Sequence, residues 1–159
     1  MDVLDNGLLH FWKALNDNDV KYIMIGGFAI RFHGFSRNTD DIDLWLNDTP
    51  ANRKALRKAF TDLKYGDFEL LETMEFVPGW TNFFIGDGIE LDIVTKMKGL
   101  EHLSFEECLE MSSIAELEGI KIPFLHINHL IANKKIINRP KDQIDVMELE
   151  RIKELRDKL

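Results

Sequence analysis

Two glycines and two alternating aspartates near the start of the chain constrain its fold more than any other feature. An apolar run ends at Gly26 and Gly27, and Asp41 and Asp43 follow after a short interval. Residues two apart in a strand point to the same side of a sheet, so these aspartates are predicted to share one face. A later apolar run contributes Asp92. The pattern therefore predicts three carboxylates at one edge of a sheet, beside a backbone loop that can receive phosphates.

The three carboxylates favour a cation. Three like charges repel one another at short range, and the arrangement becomes favourable when a metal ion lies among them. Ligation by oxygen alone is typical of Mg²⁺ or Mn²⁺, and the sequence has no Cys/His set with zinc spacing. Taken alone, Asp41 and Asp43 are equally well explained as structural residues at a strand start. Together with the glycine pair and Asp92, they indicate metal-dependent phosphoryl chemistry.

Length and charge limit the classes of protein to consider. The chain has 159 residues, 45% apolar and 30% charged, which predicts one soluble globular domain spanning residues 1–159. A net charge of -8 opposes tight binding to bulk nucleic acid, although a nucleic-acid end can still be a substrate. The single cysteine, Cys108, cannot form an internal disulfide, and no long uncharged apolar run or basic leader is present. The expected location is the cytoplasm.

Apolar periodicity and turn signals predict a mixed α/β (α+β) fold. Strands are predicted at residues 20–25, 41–46, 69–77, 81–85, 89–94, 114–117 and 120–122. Helices are predicted at residues 3–16, 28–33, 50–63, from residue 104 onward, and in two pieces of residues 126–159. Gly86-Asp87-Gly88 is a strong hairpin signal. The order does not fit a simple parallel βαβ repeat, so a mixed sheet flanked by helices is expected, with a C-terminal helical pair packed on it.

These residues resemble the DNA polymerase β-like nucleotidyltransferase superfamily, whose signature is Gly-Gly or Gly-Ser followed by Asp-x-Asp after a short helix. More narrowly, residues 26–44 look like small prokaryotic nucleotidyltransferases related to abortive-infection type toxins. The ending, residues 134–145, is similar to the helical tail of those proteins. The resemblance covers most of the chain and implies a mixed sheet flanked by helices.

The resemblance also implies roles for individual residues. Asp41 and Asp43 would be ligands of Mg²⁺ or Mn²⁺, and Gly26 and Gly27 would contact the triphosphate of a nucleotide. Asp92 matches the third carboxylate, which in the family acts as a base on the incoming hydroxyl or shares a metal. Many active members carry serine at the position of Gly27, so a hydroxyl contact with the phosphate is lost here.

Several other residues have two interpretations. Arg37 and Thr39 lie on the approach to the carboxylates, where Arg37 could clamp a phosphate or form a salt bridge with an acid. The densest basic cluster, which could hold a triphosphate or an RNA backbone or could be a solvated helix face, is Lys134, Lys135, Arg139 and Lys141. The three tryptophans, Trp12, Trp45 and Trp80, are expected to pack in the core or at a sheet edge.

The leading hypothesis is a nucleotidyltransferase that moves a nucleoside monophosphate from an NTP to a hydroxyl and releases pyrophosphate. The acceptor could be a tRNA end, a protein side chain or a small molecule. The alternative is a non-catalytic binding module, such as one half of a toxin–antitoxin pair that works beside a helical partner protein. A third interpretation is a structural α/β domain with a fortuitous acid cluster.

Overall fold

The fold is known from a computed structural model that describes residues 5–85 and 88–159. The strands of this part of the chain are β1 Tyr22–Ile25, β2 Asp41–Leu46, β3 Asn82–Ile85, β4 Ile89–Val94, β5 Ser113–Leu117 and β6 Ile120–Phe124. The α-helices are α1 Asn6–Asp17, α2 Gly26–His33, α3 Pro50–Asp62, α4 Phe105–Met111, α5 Ile127–Ile137 and α6 Pro140–Asp157. One six-stranded mixed sheet has the order β3-β4-β2-β1-β6-β5.

Most of the predicted elements are confirmed, because local chemistry specifies them. Strand β2 has the predicted bounds, and α3 begins with a Thr49 cap followed by proline. Gly34 ends α2 in the left-handed conformation, and Ser104 forms a capping box at the start of α4. Gly86 and Asp87 of the predicted hairpin turn lie outside the described residues, as do residues 1–4. Even so, β3 and β4 pair antiparallel.

The strand predicted at residues 69–77 is wrong. The segment contains a single turn of 3₁₀-helix, Glu69–Glu72, followed by turns. Its buried apolar residues are Leu71 and Phe76, whose spacing of five does not match the alternation of a strand. Arg57 of α3 holds the segment in place, since it donates a 2.6 Å hydrogen bond to the carboxylate of Glu72.

The two sides of the sheet differ, and this difference positions the site. In β2, Ile42, Leu44 and Leu46 are fully buried in the core, whereas Asp41 and Asp43 on the other side are only partly buried. Helix α5 packs against α6, and α6 also contacts α2. None of the helices in residues 5–85 and 88–159 has the length and apolar character needed to cross a membrane.

Candidate active site

Three aspartates meet on two neighbouring strands. Strands β2 and β4 run parallel, with Asp43 directly opposite Asp92 and Asp41 opposite Glu90. Each aspartate offers a carboxylate oxygen, and these oxygens all lie within 4.8 Å of one another. The alternation within β2 and the register between β2 and β4 together create this cluster, which we call the triad (Asp41, Asp43 and Asp92).

The positive charges near the triad do not offset the mutual repulsion and burial of its carboxylates. Burial, together with the charges of Asp41 and Asp92, raises the pKa of Asp43 to about 7, although Lys134 partly opposes this effect. Burial and the charges of Glu90 and Asp41 raise the pKa of Asp92 as well. Oδ1 of Asp92 is buried and has no hydrogen-bond partner within the described part of the chain. Such an orphaned carboxylate oxygen is expected where a cation is to be bound.

Gly26 forms the corner between the end of β1 and the start of α2. Its φ is +71°, and a Cβ at this position would overlap Oδ2 of Asp43, so two separate restraints require glycine. Ile25, the residue before α2, provides no side-chain cap for the helix. The first N–H groups of α2 are therefore available to an anion beside Asp43, at the positive end of the helix dipole.

Gly27 is required for a different reason. A Cβ on Gly27 would lie 2.7 Å from Oγ1 of Thr39 and 3.4 Å from Nη2 of Arg37. The first distance is too short for any real Cβ contact, so Thr39 fills the space that a serine side chain at position 27 would need. The local packing therefore accounts for glycine, and not serine, at position 27. The hydroxyl of Thr39 lies at the corner where a serine hydroxyl would otherwise be.

A network of buried ion pairs lies beyond this corner, on α5 and α6. Asp142 and Asp145 are completely buried, and Nζ of Lys134 lies 3.2 Å from Asp142 and 3.4 Å from Asp145. Arg37 Nη1 donates a 2.5 Å hydrogen bond to Asp145, and Arg139 Nε donates a 2.6 Å bond to Asp142. Burial alone would raise the pKa of Asp142, but its bonds with Arg139 and the charge of Lys134 lower it to about 2.

The ion pairs bear on two of the sequence interpretations. Arg37 makes the salt bridge that was one of its two expected roles. Lys134 is only 7% exposed, so it does not belong to a solvated helix face, whereas Lys135 is exposed and pairs with Glu150. Sequence reasoning assigned no role to Asp142 and Asp145. Their only signal was a spacing of three on a predicted helix, downstream of Lys134.

Asp43 and Asp92 of the triad line a cleft of about 510 Å³ that has two unlike sides. The cationic side comes from α5 and from Arg139, with Lys134 facing Asp43. The opposite side of the cleft is lined by Pro78 and Gly79. Val77, Trp80 and Phe84 are exposed residues next to this lining, and we call residues 77–80 together with Phe84 the aromatic side. Between them, Lys96 and Lys98 line the cleft after the end of β4.

The aromatic side corrects one expectation from the sequence. Trp12 and Trp45 are buried as expected, and Trp45 packs edge-on against Phe105. Trp80 instead is 87% exposed, so the expectation that it packs in the core or at a sheet edge is wrong. It follows Gly79 in a tight turn in which its N–H bonds to the carbonyl of Val77, and this turn directs the side chain away from the core.

Comparison with solved structures identifies the architecture. The antibiotic-resistance factor ANT(2″)-Ia in complex with adenylyl-2″-tobramycin matches with a TM-score of 0.54 and 19% identity, covering 94% of this chain and 92% of that chain. The chain has the nucleotidyltransferase fold. The lincosamide antibiotic adenylyltransferase LnuA, bound to lincomycin, matches with a TM-score of 0.57 and 16% identity, covering 96% of this chain and 99% of that chain. A nucleotidyltransferase-type protein of Thermotoga maritima matches with a TM-score of 0.54 and 17% identity, covering 94% of this chain and 88% of that chain.

Sequence comparisons give no closer relationship, because no model of a known family and no curated protein matches the chain. At these identities, the structural likeness establishes the fold. The narrower resemblance to the toxin-related branch stays a prediction.

Proposed function

We propose that this chain is a nucleotidyltransferase that transfers a nucleoside monophosphate from an NTP to a hydroxyl and releases pyrophosphate. The observation that carries the proposal is the triad, whose carboxylate oxygens lie within 4.8 Å of one another beside the start of α2. The same fold is shared with ANT(2″)-Ia and LnuA, both bound in their structures to antibiotics or an adenylylated antibiotic.

The triad fits a divalent cation. Asp41, Asp43 and Asp92 supply oxygen ligands only, and Oδ1 of Asp92 finds no hydrogen-bond donor among the described residues. This donor set favours Mg²⁺ or Mn²⁺. When bound, such an ion neutralises the carboxylates and stabilises negative charge that develops on the phosphates.

The cationic side of the cleft receives the nucleotide. The first N–H groups of α2, at Gly26 and Gly27, have no side-chain cap, and Gly26 lies against Asp43, so this helix start suits phosphate oxygens. Lys134 and Arg139 add positive charge on the same side of the cleft, where an incoming triphosphate would be held. Arg37 lies beside Gly27, and Thr39 provides a hydroxyl at the same corner.

The reaction then needs one proton acceptor. The acceptor oxygen bonds to the α-phosphorus, the bond from that phosphorus to the bridging oxygen of the β-phosphate breaks, and pyrophosphate leaves. Asp92 is the member of the triad suited to take the hydroxyl proton, since burial and the charges of Glu90 and Asp41 raise its pKa.

Calorimetric titration with a non-hydrolysable NTP analogue tests the nucleotide site. We expect binding with Mg²⁺ and little binding with EDTA, and we expect the variant Asp41→Asn/Asp43→Asn to lose the metal-dependent part. Asp40→Asn is a matched control, because Asp40 is the exposed acid directly before β2. Binding that is equal in EDTA, or equal in the triad variant, would contradict the proposal.

Turnover is tested by transfer of label from an NTP labelled at the α-phosphate. Asp92→Asn is expected to lower turnover roughly 100- to 10,000-fold, as for the loss of a general base. Circular dichroism verifies that the variant is folded. Unchanged turnover in Asp92→Asn would show that Asp92 is not the general base.

A second candidate function, a binding module for a helical partner protein, has one supporting observation. Ile144, Met147 and Leu155 of α6 lie on one side of the helix by their spacing and are exposed, as is Ile136 of α5. If this stripe binds a partner such as the other half of a toxin–antitoxin pair, Met147→Glu should abolish a stoichiometric complex seen by light scattering. A complex that survives this change would exclude the stripe as the interface.

A further inference from the structure

The aromatic side of the cleft carries large apolar side chains that the core does not use. Trp80 is 87% exposed and Phe84 is 72% exposed, and Val77 and Pro78 beside them are exposed as well. A folded chain rarely leaves an indole this open next to a polar cleft unless the surface contacts something else. The turn that presents Trp80 is ordered by backbone hydrogen bonds to the carbonyl of Val77.

This surface is joined to the triad. The backbone N–H of Gly79, the residue before Trp80, donates a hydrogen bond to the carboxylate of Asp92. Across the sheet, Phe84 lies opposite Glu90, which lies opposite Asp41, so the three residues form one row on the same face. With neighbouring strands about 4.8 Å apart, Phe84 lies about 10 Å from Asp41 between α-carbons.

The charge of this surface differs from that of the rest of the cleft. Residues 65–95 contain no lysine, arginine or histidine, while acids recur along them at Glu75, Glu90 and Asp92. The nearest arginines of α3 are engaged: Arg57 pairs with Asp67 and Glu72, and Arg53 stacks on Phe76. The lysines of the cleft come from the segment after β4 and from α5.

We propose that the aromatic side is the acceptor site, and that the acceptor is a small hydroxyl-bearing molecule with protonated amino groups. The inference rests on the proposed function and narrows its acceptor. An ammonium group is attracted to the face of an indole, and the C–H face of a sugar-like ring packs on an aromatic side chain. The carboxylate of Glu90, which lies opposite Phe84 and accepts a hydrogen bond from Asn82, complements the same positive charge.

The charges argue against RNA as acceptor. Each nucleotide of an RNA end brings a phosphate, and binding it requires cations that residues 65–95 do not supply. A cleft of about 510 Å³ is also within the range of small-molecule sites. In the transfer, the acceptor hydroxyl loses its proton to Asp92 and gains the bond to the α-phosphorus, while its amino groups stay protonated on the aromatic side.

The test uses tobramycin and tobramycin acetylated on every amino group, because the two share rings and hydroxyls but differ in charge. Each is titrated into the full chain with Mg²⁺ and a non-hydrolysable ATP analogue. A change in tryptophan fluorescence that is absent from Trp80→Ala reports binding at Trp80, since Trp12 and Trp45 are buried away from the ligand. We expect saturable binding of tobramycin and at least roughly 10-fold weaker binding of the acetylated form, as for loss of one or two cation–π or ion-pair contacts.

Single substitutions test whether tobramycin binds at the aromatic side, and calorimetry measures the affinity of each variant for tobramycin and for the nucleotide analogue. Trp80→Ala and Phe84→Ala are each expected to weaken tobramycin binding roughly 5- to 10-fold, with nucleotide affinity unchanged. Ile114→Ala is the matched control, since Ile114 is an exposed apolar residue on β5 at the opposite edge of the sheet. Equal losses in the control, or none in Trp80→Ala, would overturn the assignment.

Two results separate this inference from the proposed function. If the nucleotide analogue does not bind with Mg²⁺, the nucleotidyltransferase proposal fails, and the acceptor inference fails with it. If it binds, but tobramycin shows no saturable binding or binds no better than its acetylated form, only the acceptor inference is overturned. Transfer of the labelled nucleotide to total tRNA instead of tobramycin would overturn it equally.

Discussion

The two sides of the cleft are built by different means. The cationic side rests on buried ion pairs, in which Asp142 and Asp145 hold Lys134, Arg37 and Arg139 in fixed positions. The aromatic side is a turn and an edge strand, held by backbone hydrogen bonds, with Trp80 open to solvent. One side therefore fixes its charges before a ligand arrives, whereas the other leaves its binding groups unburied. We expect mutations to affect stability on the first side and ligand binding on the second.

The largest effect on stability is expected at Asp145. Asp145→Ala leaves Arg37 and Lys134 without their shared buried partner, and removing one member of a buried ion pair typically costs about 3–5 kcal/mol of the free energy of unfolding. Denaturant titration measures the loss, and Asp157→Ala at the exposed end of α6 is the control. A loss below that of the control would show that the network does not stabilise the cationic side.

The next effect is expected at Gly27. Gly27→Ala puts a Cβ within 2.7 Å of Oγ1 of Thr39, and overpacking of this kind typically costs about 1–3 kcal/mol. Thr39→Ala in the same chain should recover part of the loss, because it removes the nearest atom. Thermal unfolding of the two single variants and the double variant gives the coupling energy, and strict additivity would show that the two residues do not compete for space.

Substitution of Asp43 is expected to raise the free energy of unfolding, in contrast to the two substitutions above. Its pKa is about 7 in the folded chain, against 3.8 ordinarily. The folded state therefore keeps a proton that the unfolded state releases, and the resulting stability is present below pH 3.8 and is lost as the pH rises to 7. In EDTA at pH 8, Asp43→Asn, which resembles the protonated form, should be about 1–2 kcal/mol more stable than the unmodified chain.

The pH dependence of this difference provides the check. Urea unfolding in EDTA should show the two chains nearly equal at pH 4 and increasingly different up to pH 7, with Mg²⁺ at pH 8 stabilising only the unmodified chain. A difference that is constant with pH would mean that the Asp43 carboxyl is not the cause.

The smallest effect on stability is expected on the aromatic side. Trp80→Ala should change the free energy of unfolding by no more than about 0.5 kcal/mol, since the side chain is 87% exposed. The same variant should weaken acceptor binding. A large loss of stability from Trp80→Ala, measured beside Asp145→Ala, would contradict the distinction between the two sides.

Much of the fold could be predicted because its signals are local. Alternation in β2, the Thr49-Pro50 start of α3 and the capping box at Ser104 act within a few residues, and each is confirmed. The adjacency of Asp92 to the other two aspartates was conditional on strand order, which the parallel register of β2 and β4 supplies. The error at residues 69–77 arose where packing against α3 overrides apolar content.

The sequence by itself determined the fold class and brought Asp41 and Asp43 to one face, because strand alternation and the glycine corner are encoded locally. Only the tertiary structure decided that Asp145 binds Arg37, 108 positions away, and that Trp80 stays in solvent. Ion pairing and exposure depend on which elements meet in space, and neither has a period along the chain. The cationic and aromatic sides of the cleft are therefore products of packing, as is the position of Asp92, although the pairing of Asp41 with Asp43 is visible in the sequence.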